Sequence, residues 1–203
     1  MKTLRVRLCP LADLSAETPL EYQVLDDKRR TVKTDHAVPA ALPRLARTEL
    51  VLAAPDVLLI DAALPPLSGA RLRAALQAVA EPHLITDAAA VFVAAGPRLG
   101  SRATLAVVDR TLLQRALEVL RRVKIVPESA TAEQLTLPLS EGRWRLRLQA
   151  GFLGFRATHH QEDHCEQNSA RAAAHRDHAV LSLGQLFEPW RKRHSGGRGR
   201  GAG

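Results

Sequence analysis

The chain has 203 residues, 46% hydrophobic, 25% charged and 3% aromatic, an ordinary composition for one soluble domain or a small pair of domains with a real core. Its longest uninterrupted apolar run is Ala88–Ala95, far short of the ~20 residues of a membrane-spanning helix, so no membrane span is expected in this chain. The net charge of +8 comes from 29 Lys and Arg against 21 Asp and Glu. Most of the cations are Arg, beside abundant Ala, Leu and Gly, as GC-rich coding produces, so basicity alone says little about a nucleic-acid partner.

Met1–Pro10 interleaves Lys2, Arg5 and Arg7 with Leu4, Val6 and Leu8 and lacks the apolar stretch of a secretory signal. Two cysteines, Cys9 and Cys165, are too few for a disulfide framework. A cytosolic location is the resulting expectation. Leu4, Val6 and Leu8 alternate with Arg5 and Arg7, the period of a strand with one buried face. Tyr22 and Val24 repeat it, and Asp26, Asp27 and Lys28 predict a turn into Thr31–Lys33, so the chain starts as a small β meander. Leu50–Ala54 and Val57–Ile60 read as two strands broken at Pro55 and Asp56.

Leu72, Ala75, Leu76 and Val79 line one helix face, with Ser68 as the expected N-cap and Pro82 as the stop. Thr104–Val108 predicts a strand running into Asp109, the N-cap of a second helix with the stripe Leu113, Ala116, Leu117 and Leu120. Arg121, Arg122 and Lys124 suit that helix's negative end. After a turn at Ser140–Gly142, Trp144, Leu146 and Leu148 alternate with Arg143, Arg145 and Arg147, a half-buried strand whose Arg face is most simply solvated. Strands first, then strands mixed with helices, predict an α/β or α+β fold without internal repeats.

Composition changes near Arg156. Residues 157–203 hold six of the eight histidines and few branched aliphatics, and end in Ser, Gly, Arg and Ala only. Such a segment buries too little apolar surface to offset its ordering entropy; only Ala179–Trp190 suggests a short helix.

Chemistry is sparse. GxxxxGK[ST] and GxGxxG are missing, and Gly96 and Gly100 flank Pro97 without the lysine or the strand-to-helix setting of a phosphate cradle. Asp109 could be a metal-binding carboxylate but is better read as a helix cap, and Asp61 as a strand-end residue rather than an acid catalyst. Cys9 has no His that can be placed beside it as a base and reads as a buried or edge thiol. His160 and His164, His175 and His178, with Cys165 between, offer zinc-type ligands. Their pattern is HxExH rather than HExxH, and the Pro-Cys-x-x-Cys of a deaminase is missing, so little or adventitious metal binding is expected. Trp190, Arg191, Lys192 and Arg193 with the Arg-Gly end could contact phosphates, yet blocks of like charge are commonly just solvated. The residues alone therefore single out no catalytic, cofactor-binding or metal-binding residue.

The run LPPLSGARLRAALQAVAEPHLITD at residues 64–87 resembles the cytoplasmic domain of type II secretion system protein L (general secretion pathway protein L), where a Pro-containing strand end, an RLR-x-AL helix, an acid and an Asp recur in this order. LVLAAPDVLLIDAALP upstream is similar to the family's strand, turn and strand. LAVVDRTLLQRALEVLRRVKIVP downstream is similar to its strand and helix followed by a short strand, and TLPLSEGRWRLRLQAGFLGFR to its late Pro, Gly-Trp and alternating segment. Gln77 stands where the family often has proline, and Pro82 where an acid usually follows Glu81.

The resemblance implies a partial actin-like (ribonuclease H-like) fold over residues 1–156 without a working nucleotide site, and so without enzyme activity or cofactor. It implies an inner-membrane platform protein whose cytoplasmic part binds the N-terminal domain of the secretion ATPase and further platform proteins, with a homodimer among the options. It places the family on the cytoplasmic side of the bacterial inner membrane. Residues 157–203 depart from the family plan in composition, so the expectation is a truncated or frameshifted chain with exposed strand edges and poor stability. The rival readings are an actin-like type IV pilus assembly protein with a nucleotide site, and a small nucleic-acid-binding or metal-binding protein acting through the tail.

Overall fold

The computed structural model describes residues 2–136 and, as backbone, the segments 145–149 and 152–156. The start is the expected meander. β1 (Thr3–Arg7), β2 (Leu20–Leu25) and β3 (Thr31–Ala37) run antiparallel, with Val6 opposite Tyr22 and Tyr22 opposite Asp35. Asp26 closes the β2–β3 turn: its carboxylate accepts from the Arg30 N–H at 2.8 Å, and its carbonyl accepts from the Arg29 N–H at 3.0 Å. Arg29 takes a left-handed φ of 60° there.

β4 (Arg47–Leu52) then lies parallel to β1, with Leu50 opposite Val6. Pro55 sits in a 3-10 turn, Ala54–Asp56, that diverts the chain into β5 (Leu58–Ala63). Next come α1 (Gly69–Ala80), β6 (Val91–Leu99) and β7 (Arg102–Asp109). β5, β7 and β6 make an antiparallel three-stranded sheet in that order. On one face Ile60, Ala62, Val93 and Leu105 pack with Leu76 and Ala80 of α1. On the other, Ala106 and Val108 join the main core.

α2 (Arg110–Arg122) follows β7 directly, and Asp109 caps it, accepting from the Leu112 N–H at 2.8 Å. Its stripe, Leu113, Ala116 and Leu120, is fully buried against Leu4, Val6, Leu8, Leu50 and Leu52. β8 (Ser129–Ala132) pairs parallel with β4 and completes a five-stranded sheet of order β3-β2-β1-β4-β8, after which α3 (Glu133–Thr136) follows. β9 (Arg145–Gln149) and β10 (Phe152–Arg156) form an antiparallel pair with Leu148 opposite Leu153. The mixed sheet with helices agrees with the expected class.

Local details depart from the sequence reading. Ser68 occupies the N-cap position, but its side chain makes no capping bond. Asp61 lies inside β5, which continues to Ala63 because its edge pairs with β7 as far as Arg102. The alanine-rich run Ala88–Ala95 carries a strand. Ala88–Ala90 forms a 3-10 turn capped by Asp87, and Val91, Phe92 and Val93, β-branched or aromatic, open β6 with Val91 and Val93 inward. Gly96 and Pro97 mark an irregular register between Ala95 and Arg98, since proline has no ladder donor, and Gly100 turns the hairpin at φ 62°.

The short strand after α2 begins at Ser129 rather than within the segment ending at Pro127. Lys124 takes a left-handed φ of 64°, and the Ile125 N–H returns to Leu120 O at 3.0 Å, spending Ile125 on the core. The chain rejoins β4 where the Glu128 N–H donates to Thr48 O at 2.8 Å. The turn at Ser140–Gly142, Arg143, Trp144 and everything from Ala157 on, including the tail histidines, lie outside the described residues.

Candidate functional site

Strand alternation sorts the five-stranded sheet into two faces. Leu4, Val6, Tyr22 and Leu50 face the core under α2. The opposite parity places Arg5 and Arg7 of β1, Glu21 and Gln23 of β2, and Glu49 and Val51 of β4 side by side on the second face. α3 closes one end of this row with Glu133, which is buried.

Charges on this face neutralise one another at short range. Arg7 Nη1 meets Glu133 Oε1 at 2.7 Å, and Arg7 Nε lies 3.5 Å from Glu21. Glu133 Oε2 accepts from the Ala54 N–H at 3.4 Å, and Gln134 donates to Ala54 O and Val57 O at 2.9 and 3.1 Å, so α3 is fastened to the turn after β4. Glu49 accepts from Arg29 at 2.8 and 2.9 Å and from Arg5 at 3.4 Å. Burial pushes the Glu49 carboxyl up, but the bonds to Arg29 and the nearby Arg29 and Arg5 charges outweigh it and hold it below the ordinary glutamate value. Arg29 is pushed up in turn by its bond to Glu49. The groove lined by Arg5, Arg7, Glu21, Gln23 and Val51 encloses no room even for a water molecule, whereas small-molecule pockets begin at ~300 Å³.

The sequence candidates do not converge. Asp109 spends its carboxylate on Leu112. Asp61 is exposed and bonds Arg102 at 3.0 Å. The two sit opposite Thr104 and Val91, on the order of 17 Å apart along the sheet. Cys9 is a half-buried free thiol. Burial pushes its pKa up, and Asp13 and Asp56 add to the shift, which disfavours the thiolate. Among the described residues no group of three or more His, Cys, Asp and Glu could hold a metal ion, and no helix is long and apolar enough to cross a membrane. Half of the ionic face is legible in the sequence. Alternation marked Arg5 and Arg7 as neighbours, but nothing local announces Glu133.

A family model described as type II secretion system (T2SS), protein L, matches residues 14–190, a stretch that runs past Arg156. Among solved structures, the fold is similar to the cytoplasmic domain of EpsL, an inner membrane component of the type II secretion system of Vibrio cholerae. The TM-score is 0.56 at 18% identity, over 77% of this chain and 71% of that one. A PilM-PilN type IV pilus biogenesis complex gives a TM-score of 0.46 at 17% identity, over 66% of this chain and 48% of that one. No curated protein matches. The fold is like that of the EpsL cytoplasmic domain, which is actin-like.

Proposed function

The chain belongs to the type II secretion system protein L family, and on that premise we propose that it is a non-catalytic component of the inner-membrane platform. Its actin-like domain stands on the cytoplasmic side and recruits the secretion ATPase through that enzyme's N-terminal domain. The family match over residues 14–190 carries this reading. A fold like that of the EpsL cytoplasmic domain supports it, and so does a sheet face whose cations and carboxylates are paired to each other rather than aimed at a reacting centre. Recruitment by surface complementarity needs neither nucleotide nor metal. Residues 1–156 supply the binding surface, and other platform proteins are the further partners.

The test is direct binding between the full chain and the N-terminal domain of the secretion ATPase, with and without Mg-ATP. Saturable binding that ATP leaves unchanged is expected, together with an unchanged melting temperature on adding Mg-ATP to the chain alone. A chain that is folded by circular dichroism yet fails to bind overturns the reading. A melting temperature raised by ATP would move the protein to the nucleotide-binding branch of actin-like proteins.

A further inference from the structure

β5 and β6 are the outer strands of the three-stranded sheet, with β7 between them. The Leu64 N–H donates to Ser101 O at 2.8 Å. Alternation along the antiparallel pair therefore points the main-chain groups of Leu58, Ile60 and Ala62 at β7 and those of Val57, Leu59, Asp61 and Ala63 away from it. The even-numbered residues of β7 then serve β6, which turns the groups of Phe92 and Ala94 inward and those of Val91 outward.

Three of the outward carbonyls are taken, each by a side chain from another element. Arg102 Nη2 of β7 donates to Asp61 O at 3.1 Å, while its Nε holds Asp61 Oδ2 at 3.0 Å. Gln134 Nε2 of α3 donates to Val57 O at 3.1 Å, and Arg110 Nη2 of α2 donates to Val91 O at 2.8 Å. β6 is protected a second time by Pro97, which has no ladder donor and lies where the register breaks. β5 has no such break. It reads Leu-Leu-Ile-Asp-Ala-Ala, with Asp61 its one charge and Leu58 48% exposed, the kind of short apolar strand that accepts another strand along an open edge. Beyond Gln134 its protection falls to Arg102, which reaches the far side of β5 with its side chain 55% exposed.

We propose that Arg102 is a strap that closes the outer edge of β5 against strand addition. Its guanidinium fills the carbonyl that an added strand would use, and the Asp61 carboxylate anchors it there. The inference does not rest on the secretion reading.

Amide exchange of the full chain tests the premise: Asp61 and Ala63 should exchange about tenfold or more faster than Ile60 and Ala62, and equal rates would overturn it. Arg102→Ala should lower the concentration at which the chain associates, read against the parent by analytical ultracentrifugation, by about tenfold, the worth of one charge-assisted hydrogen bond. Ala63→Pro removes an outward N–H and leaves the β7 ladder intact. Alone it should keep the parent's circular dichroism spectrum and urea midpoint; a lost fold would put that N–H inside the ladder and refute the alternation. Combined with Arg102→Ala, it should return association to the parent's level. Association of Arg102→Ala that equals the parent's, or that Ala63→Pro leaves in place, overturns the proposal.

Discussion

Glu133 shows how one side chain can hold an element in place. It is 5% exposed and joins Arg7 of β1 to the Ala54 N–H, so β1, α3 and the turn after β4 share one anchor. Removing one member of a buried pair leaves the other charge uncompensated, so Glu133→Ala should destabilise the fold by about 3 kcal/mol. A combined Arg7→Met, Glu133→Leu replacement should recover most of that in urea denaturation. Glu49 gives an acid-sensitive contribution. Its folded pKa is depressed, so the stabilisation is present above the ordinary value of 4.5 and fades as pH falls through the lower folded value. The advantage of the parent chain over Glu49→Gln, about 1 kcal/mol at neutral pH for so partly exposed a pair, should therefore shrink on titration from pH 6 toward pH 2.

Asp56 has the opposite sign. Burial pushes its pKa up, Asp13 adds to this, and the Leu11 N–H at 2.9 Å only partly counters it. A raised folded pKa means that protonation favours the native state as pH falls through it. Asp56→Asn keeps an acceptor for Leu11 and should be neutral or stabilising at pH 7 by thermal melting, whereas Asp56→Ala leaves that N–H without its acceptor and should cost about 1 kcal/mol.

At the scale of elements, the two helices make a matched comparison. Asp109 makes its cap bond and Ser68 does not. Asp109→Ala should thus cost about 1 kcal/mol in chemical denaturation, the usual worth of an N-cap, and Ser68→Ala close to nothing. Within α2, Leu113→Ala should cost about 3 kcal/mol, since Leu113 is fully buried in the core that joins both sheets. α2 was legible in the sequence because its cap and stripe repeat within a few residues, and β1 to β3 because alternation and an Asp-rich turn are equally local. β6 was hidden, because alanine favours helix and only Val91-Phe92-Val93 tips the balance. β8 was displaced, because the left-handed Lys124 and the returning Ile125 are details of how α2 ends rather than of hydropathy. Half of the ionic face was legible for the same reason: parity reveals which residues of one strand share a face but not which distant carboxylate arrives opposite.

For the whole molecule, the main core draws on both sheets: Leu4 and Leu50 from one, Ala106 and Val108 from the other, with α2 packed among them. Amide exchange of β1 and β7 should accordingly report a common opening free energy, and Leu113→Ala should lower both together. The order of assembly is another matter. β4 and β8 are neighbours in the sheet, yet the whole β5–α1–β6–β7 unit and α2 lie between them in sequence, about 75 residues of chain. At ribosomal speeds of about 5 to 20 residues per second, the open side of β4 waits roughly 4 to 15 s for its partner to be synthesised. During that interval the nascent sheet is unfinished along Leu50, Val51 and Leu52, all buried in the finished fold, so this strand is an apolar segment that stays open to other chains until β8 arrives.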